Sequence, residues 1–153
     1  MAKELKIGDT APNFTLNSDS GEKVSLKDFK GQRVILYFYP KDLTSGCTQQ
    51  ACDFRDATTT LKKKKTAVIG ISKDSVESHL KFKTKHDLNF PLLADTETKV
   101  CQAYGVWQEK SLYGRKYMGI ARTTFVIGPD GKIENIYEKV KVKGHVDEVV
   151  SSL

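Results

Sequence analysis

The chain has 153 residues, 39% hydrophobic and 29% charged, with a formal net charge of +6. That size predicts one domain spanning 1–153 with a sizeable core, and the composition excludes a disordered or fibrous chain. The lysines are spread along the chain, so no specific nucleic-acid partner is expected. No apolar stretch approaches the length of a membrane span, and the start MAKELKIGDTAP lacks an apolar signal region, which predicts a cytoplasmic location and no membrane partner.

In chain order, FTLN (14–17) and EKVSL (22–26) flank the turn SDSG and read as a hairpin. LKDFKG reads as a short helical turn ended by Gly31. Val34 to Tyr39 is an unbroken apolar run, the pattern of a central strand covered on both faces, and Pro40 ends it. After the turn KDLTSG, the stretch CTQQACDFRDATTTLKKKK predicts a helix capped by Thr44 or Ser45, with Ala51, Phe54 and Leu61 at helical spacing. The lysine run Lys62–Lys65 falls at its end, where cations suit the helix dipole.

TAVIGIS (66–72) is a second core strand, which makes strand–helix–strand a right-handed parallel crossover. SVESHLKFKTKHDL predicts a helix starting at Ser75, with Val76 and Leu80 inward and His79 and His86, among lysines, at the surface or boundary. FPLLAD is a short strand and turn, and TETKVCQAYGV a helix ending at Gly105, with Cys101 packed near Tyr104. WQEKSLYGRKYMG reads as a loop or ragged strand. RTTFVIG and KIENIYEKV pair as a hairpin around PDG, with Gly131 supplying a positive φ. GHVDEVVSSL closes the chain as an amphipathic helix carrying Val146, Val149, Val150 and Leu153 inward.

Cys47 carries the strongest chemical signal. It falls in the first turn of a helix that leaves the carboxyl end of a central strand, where open α/β sheets build their sites. A helix N-terminus stabilises a thiolate, the nucleophilic form that an ordinary cysteine hardly populates near neutral pH. A buried apolar role is the ordinary fate of a free cysteine. Against it stand the placement of Cys47 in a Thr-Ser-Gly turn rather than on the apolar face, the close approach that Gly46 allows, and Cys52 in the same helix. The three cysteines do not form an even secretory framework, and Cys-x4-Cys is neither a zinc nor a thioredoxin spacing. The three histidines are scattered, and GDTAP, GQR and GPDG are turns rather than phosphate loops, so neither a metal nor a cofactor is expected.

TSGCTQQACDFRD, following a strand that ends YFYP, resembles the peroxidatic motif of peroxiredoxins, with Pro40, Thr44 and Cys47 in the frame P-x-x-x-[TS]-x-x-C. The added cysteine at 52 is similar to the bacterioferritin comigratory protein, or peroxiredoxin Q, branch. GDTAPNFTL, IGIS, YGVW and RTTFVIGPDGKI extend the resemblance over nearly the whole chain. Ser45 departs from it, since this branch often has proline there, and the loss of a fixed φ loosens the turn.

The resemblance implies an α/β, thioredoxin-like fold with an N-terminal β-hairpin extension. It implies a thiol peroxidase, monomeric, acting on hydrogen peroxide and organic hydroperoxides. Cys47 is then the attacking thiolate, Cys52 the thiol that resolves its sulfenic acid into a disulfide, with Cys101, whose neighbourhood reads as buried, the competing resolver, and thioredoxin or a similar dithiol the external reductant. It also sets Arg122, at the start of a later strand, beside the cysteine turn. Arg122, Thr44 and the backbone N–H groups around Gly46 would bind the peroxide, and Pro40 would wall off water. Two rival readings are a thioredoxin-type disulfide reductase, opposed by the missing Cys-x2-Cys, and a redox-responsive sensor or holdase, which would not need Pro40, Thr44, Cys47 and Arg122 together.

Overall fold

The computed structural model describes residues 4–153. Its centre is a seven-stranded mixed sheet of order β2-β1-β5-β4-β3-β8-β9. The strands are β1 (Thr15–Ser18), β2 (Lys23–Ser25), β3 (Arg33–Phe38), β4 (Thr66–Ser72), β5 (Leu92–Ala94), β8 (Thr123–Ile127) and β9 (Ile133–Tyr137). The helices are α1 (Ser45–Lys63), α2 (Val76–His86), α3 (Lys99–Ala103) and α4 (His145–Ser151). Strands β3, β4 and β5 run parallel, as expected of the crossover, whereas β8 lies antiparallel to β3.

The unbroken apolar run of β3 is explained by burial on both faces. Val34, Leu36 and Phe38 point into one core, shared with Cys101 and Tyr104. Ile35, Tyr37 and Tyr39 point into the other, shared with Phe54 of α1, Phe82 of α2 and Val146 and Val149 of α4. Tyr39 lies just past β3 but still donates its N–H to the Ile71 carbonyl at 3.1 Å. The N-terminal hairpin forms at the expected place, and Leu26–Phe29 makes a single 3-10 turn closed by Gly31 at φ +94°.

Three expectations need correction. The stretch read as a loop or ragged strand is a regular antiparallel hairpin, β6 (Trp107–Leu112) with β7 (Arg115–Ile120), hydrogen-bonded apart from the main sheet. Tyr113 and Gly114 both have positive φ at its tip, the signature of a type I′ turn. Leu80 is half exposed; the inward residues of α2 are His79 and Phe82. His79 is therefore fully buried rather than superficial, because a carboxylate waits for it inside, whereas His86 does sit at the boundary. Among the described residues no helix is long and apolar enough to cross a membrane.

Candidate active site

The antiparallel register of β3 with β8 creates the site. Phe38 pairs with Thr123, so the residue before β8, Arg122, lies beside the carboxyl end of β3, where α1 begins. Thr44 is the N-cap of α1, in extended conformation, and its carbonyl accepts the first helical bond from Thr48 N–H at 2.8 Å. Cys47 thus occupies the first turn, with the helix's unpaired N–H groups around it.

Arg122 reaches this cysteine with one arm of its fork: Nη2 lies 3.3 Å from the Cys47 sulfur. The other arm, Nη1, donates to Gln50 Oε1 at 2.6 Å. A guanidinium so divided is fixed in plane, with its charge held against the sulfur. Gly46 lies against the same arm: a β-carbon there would stand in ordinary contact, 3.4 Å from Nη2 and 3.9 Å from Val142.

Cys47 itself is buried, in contact with the cluster of Tyr37, Ala51 and Phe54. The expectation that it lies off the apolar face is corrected. The first turn of α1 rotates its sulfur toward the sheet, because Cys47, Ala51 and Phe54 share one helical stripe. Cys52 lies on the same helix, half-buried, and both thiols are free. Thr44 is exposed and its hydroxyl donates to the Lys41 carbonyl at 2.9 Å, not to the sulfur. Pro40 is half-buried at the strand end. Cys101, fully buried as expected, is held as a thiol: burial and then the neighbouring Asp95 carboxylate push its pKa far up.

Sequence reasoning missed three residues. Gln50 is completely buried and its Nε2 finds no partner among the described residues. Lys110 of β6 is half-buried; burial first and Arg122 second push its ammonium below the usual range, and Cys47 opposes them. Its stem crosses Gly119, where a β-carbon would stand 3.3 Å from Cδ. Tyr37, stacked on Phe54 at 4.7 Å, ends in a hydroxyl with no partner among the described residues. Gln50 and Tyr37 lie within the stretches that carry the cysteine motif, at positions to which residue type alone gives no role, whereas Lys110 is brought in by a strand distant in sequence. For metal, Asp42, Asp74 and His79 are the candidate group among the described residues, with ligand-type atoms all within 4.8 Å. Those atoms already bond one another and nearby hydroxyls.

Known proteins share the sequence and the fold. Residues 7–136 match the model of the AhpC/TSA family. The chain is 54% identical to a putative peroxiredoxin bcp of Coxiella burnetii, over 97% of this chain and 99% of that one. It is 50% identical to peroxiredoxin Bcp of Escherichia coli, over 97% and 96%. Among solved structures, the C47S mutant of PrxQ from Xylella fastidiosa superposes with a TM-score of 0.93 at 35% identity, covering 99% and 96%. The bacterioferritin comigratory protein of Xanthomonas campestris, described for alkyl peroxide reduction, gives 0.87 at 37% identity, covering 91% and 88%. The fold is accordingly the thioredoxin-like peroxiredoxin fold, extended by the β1–β2 hairpin. By family model, curated relatives and architecture alike, the chain belongs to the AhpC/TSA family, in its branch of Bcp and Q-type peroxiredoxins.

Proposed function

We propose that this chain is a thiol peroxidase in which the Cys47 thiolate attacks the terminal oxygen of hydrogen peroxide or an organic hydroperoxide. The observation that carries the reading is Arg122 Nη2 at 3.3 Å from a sulfur in the first turn of a helix. The O–O bond breaks as the S–O bond forms, leaving Cys47 as sulfenic acid. The departing hydroxide or alkoxide takes up a proton and leaves as water or alcohol. Charge moves from sulfur to the departing oxygen, so a fixed guanidinium and the N–H groups at Gly46 and Cys47 stabilise the transition state more than the ground state. Thr44 would join them by turning its hydroxyl from Lys41 to the peroxide, and Pro40 offers a wall without a competing N–H.

Cys52 then attacks the sulfenic sulfur, forming the Cys47–Cys52 disulfide with loss of water. A thioredoxin-like dithiol restores both thiols and is itself oxidised. Cys52 is favoured over Cys101 because the Cys101 side chain is completely buried, whereas Cys52 is only half-buried. We read the enzyme as one cytoplasmic domain acting as a monomer, with no cofactor.

The test is consumption of hydrogen peroxide in the presence of thioredoxin, thioredoxin reductase and NADPH. Turnover should vanish in Cys47→Ser, whose volume change is small and whose fold should persist. Retained turnover in that variant would falsify the assignment.

A further inference from the structure

The turn that delivers Cys47 is gripped from below by a buried polar cluster that the chemistry above does not use. Asp42, five residues before the cysteine, is almost fully buried. Its Oδ1 accepts from the Tyr39 hydroxyl at 2.6 Å, and its Oδ2 from the Ser78 hydroxyl at 2.8 Å. His79 Nδ1 stands 2.7 Å from the same Oδ2, while its Nε2 stands 2.9 Å from the Leu93 carbonyl. A carbonyl can only accept, so Nε2 carries a hydrogen, and a further proton lies between Nδ1 and Oδ2. The Asp42 N–H donates in turn to Asp74 Oδ2 at 2.8 Å, and Asp74 is tied to Ser72. Burial pushes the Tyr39 phenol well above its usual pKa, with Tyr37 and Asp42 adding to the rise, so it remains a donor.

What this cluster holds is strained. Leu43, next after Asp42, has φ +63°, a left-handed conformation that costs a branched side chain free energy and persists only where its surroundings impose it. Leu43 is also substantially exposed, so its own packing does not impose it. The bonds on Asp42 supply the constraint on one side. On the other side Thr44 opens α1 with no side-chain cap bond of its own. If Asp42 lets go, Leu43 relaxes, and the cap residue and first helical turn move with it.

We propose that Asp42 is a positioning residue that sets the balance between the closed turn, in which Cys47 meets Arg122, and an opened turn, in which Cys47 meets Cys52. The proposal rests on the roles given to those cysteines above. It predicts asymmetric kinetics. When the closed form dominates, a tenfold growth of the minor open form hardly depletes it, yet multiplies any reaction that passes through the open form.

The experiment separates the two steps in the full-length protein by quenching with an alkylating agent after mixing with hydrogen peroxide, followed by intact mass. Asp42→Ala should speed disulfide formation from the Cys47 sulfenic acid by about tenfold, the effect expected of losing charge-assisted bonds, and slow the sulfenic acid step by less than about twofold. Tyr39→Phe and Ser78→Ala each remove one donor to Asp42; both should accelerate the same step by a smaller factor, and they decide the matter if Asp42→Ala does not fold. Lys83→Met is the control. It breaks the ion pair of α2 with buried Asp19, 3.0 Å long, without touching the turn. It should lower the melting temperature and leave both rates unchanged. Unaltered disulfide formation in the Asp42, Tyr39 and Ser78 variants overturns the proposal, as does equal acceleration in Lys83→Met. Absence of a Cys47 sulfenic acid in the wild-type protein would instead overturn the underlying assignment.

Discussion

Arg122 and Gln50 meet through a 2.6 Å bond between residues 72 positions apart, and among the described residues it is the only hydrogen bond that the buried Gln50 side chain makes. Its amide nitrogen gains nothing from burial. Gln50 therefore costs the fold an unpaired donor in return for a fixed guanidinium. Gln50→Leu should leave stability unchanged or raised while slowing peroxide reduction by about tenfold, through lost orientation of Arg122. Arg122→Met, which removes the charge itself, should cost about 100-fold or more. Stopped-flow oxidation and urea denaturation on the same two variants check both halves, and a Gln50 variant that is unstable but fast would reverse the assignment.

Cys101 should matter to stability alone. Its backbone N–H donates to Asp95 Oδ2 at 2.7 Å, and its sulfur is completely enclosed. Cys101→Ala should lose about 1 kcal/mol or more by leaving a small cavity, measured by urea denaturation, with the thioredoxin-linked cycle intact. Loss of cycling with Cys52 present would make Cys101 the resolving thiol.

His145 gives the fold a dependence on acid. Its Nε2 lies 2.8 Å from Thr124 Oγ1, and burial, with a smaller contribution from the Arg122 charge, pushes its pKa down to about 4 from the usual 6.5. Between those values the unfolded chain takes a proton that the native one refuses. The stabilisation is thus present above about pH 6.5 and is lost as pH falls toward about 4, by at most about 1.4 kcal/mol per pH unit. Urea midpoints between about pH 7 and about pH 5 should fall in the wild type and fall less steeply in His145→Gln. Parallel slopes would show that other groups carry the acid sensitivity.

Forming the Cys47–Cys52 disulfide should destabilise the protein. On a regular helix residues five apart have Cα atoms about 8.6 Å from each other and point to different faces, whereas a disulfide tolerates about 6.8 Å. The start of α1 must unwind. So short a loop gains about 2 kcal/mol from chain entropy. Against it stand several helical hydrogen bonds at about 1 kcal/mol each, the contacts of Arg122, and any exposure of Phe54 at roughly 1.5–3 kcal/mol. Thermal melts of the reduced and oxidised protein, with amide exchange over residues 44–56, check the sign. A higher melting temperature with the helix still protected would contradict it.

The elements with strong local signals were legible: the apolar run of β3, the crossover to β4, the hairpin β8–β9 around PDG and the valine stripe of α4. So was the cysteine turn. The hairpin β6–β7 was not, since most of its residues are exposed on both faces and show no alternation to betray a strand. His79 was misread for a related reason. Its lysine neighbours describe the outer face of α2, while its partner Asp42 comes from a loop 37 residues away. Gln50 looked like one more polar residue beside a cysteine, and only Arg122, brought in by the β3–β8 register, gives it a reason to be inside. Arg122 itself was placed by resemblance; as an isolated strand-end charge it carries no signal.

The same register has a consequence for synthesis. Cys47 and Arg122 are 75 residues apart, and β8 reaches β3 only after the whole crossover unit has been made. A nascent chain can assemble β3, α1 and β4 on leaving the ribosome, since their connections are short and sequential. Its cysteine then stands at a helix start with neither guanidinium nor glutamine clasp in place. The reactive pair is completed by nearly the last hairpin to emerge, so the thiol acquires its partner only once the surrounding fold is there to contain it.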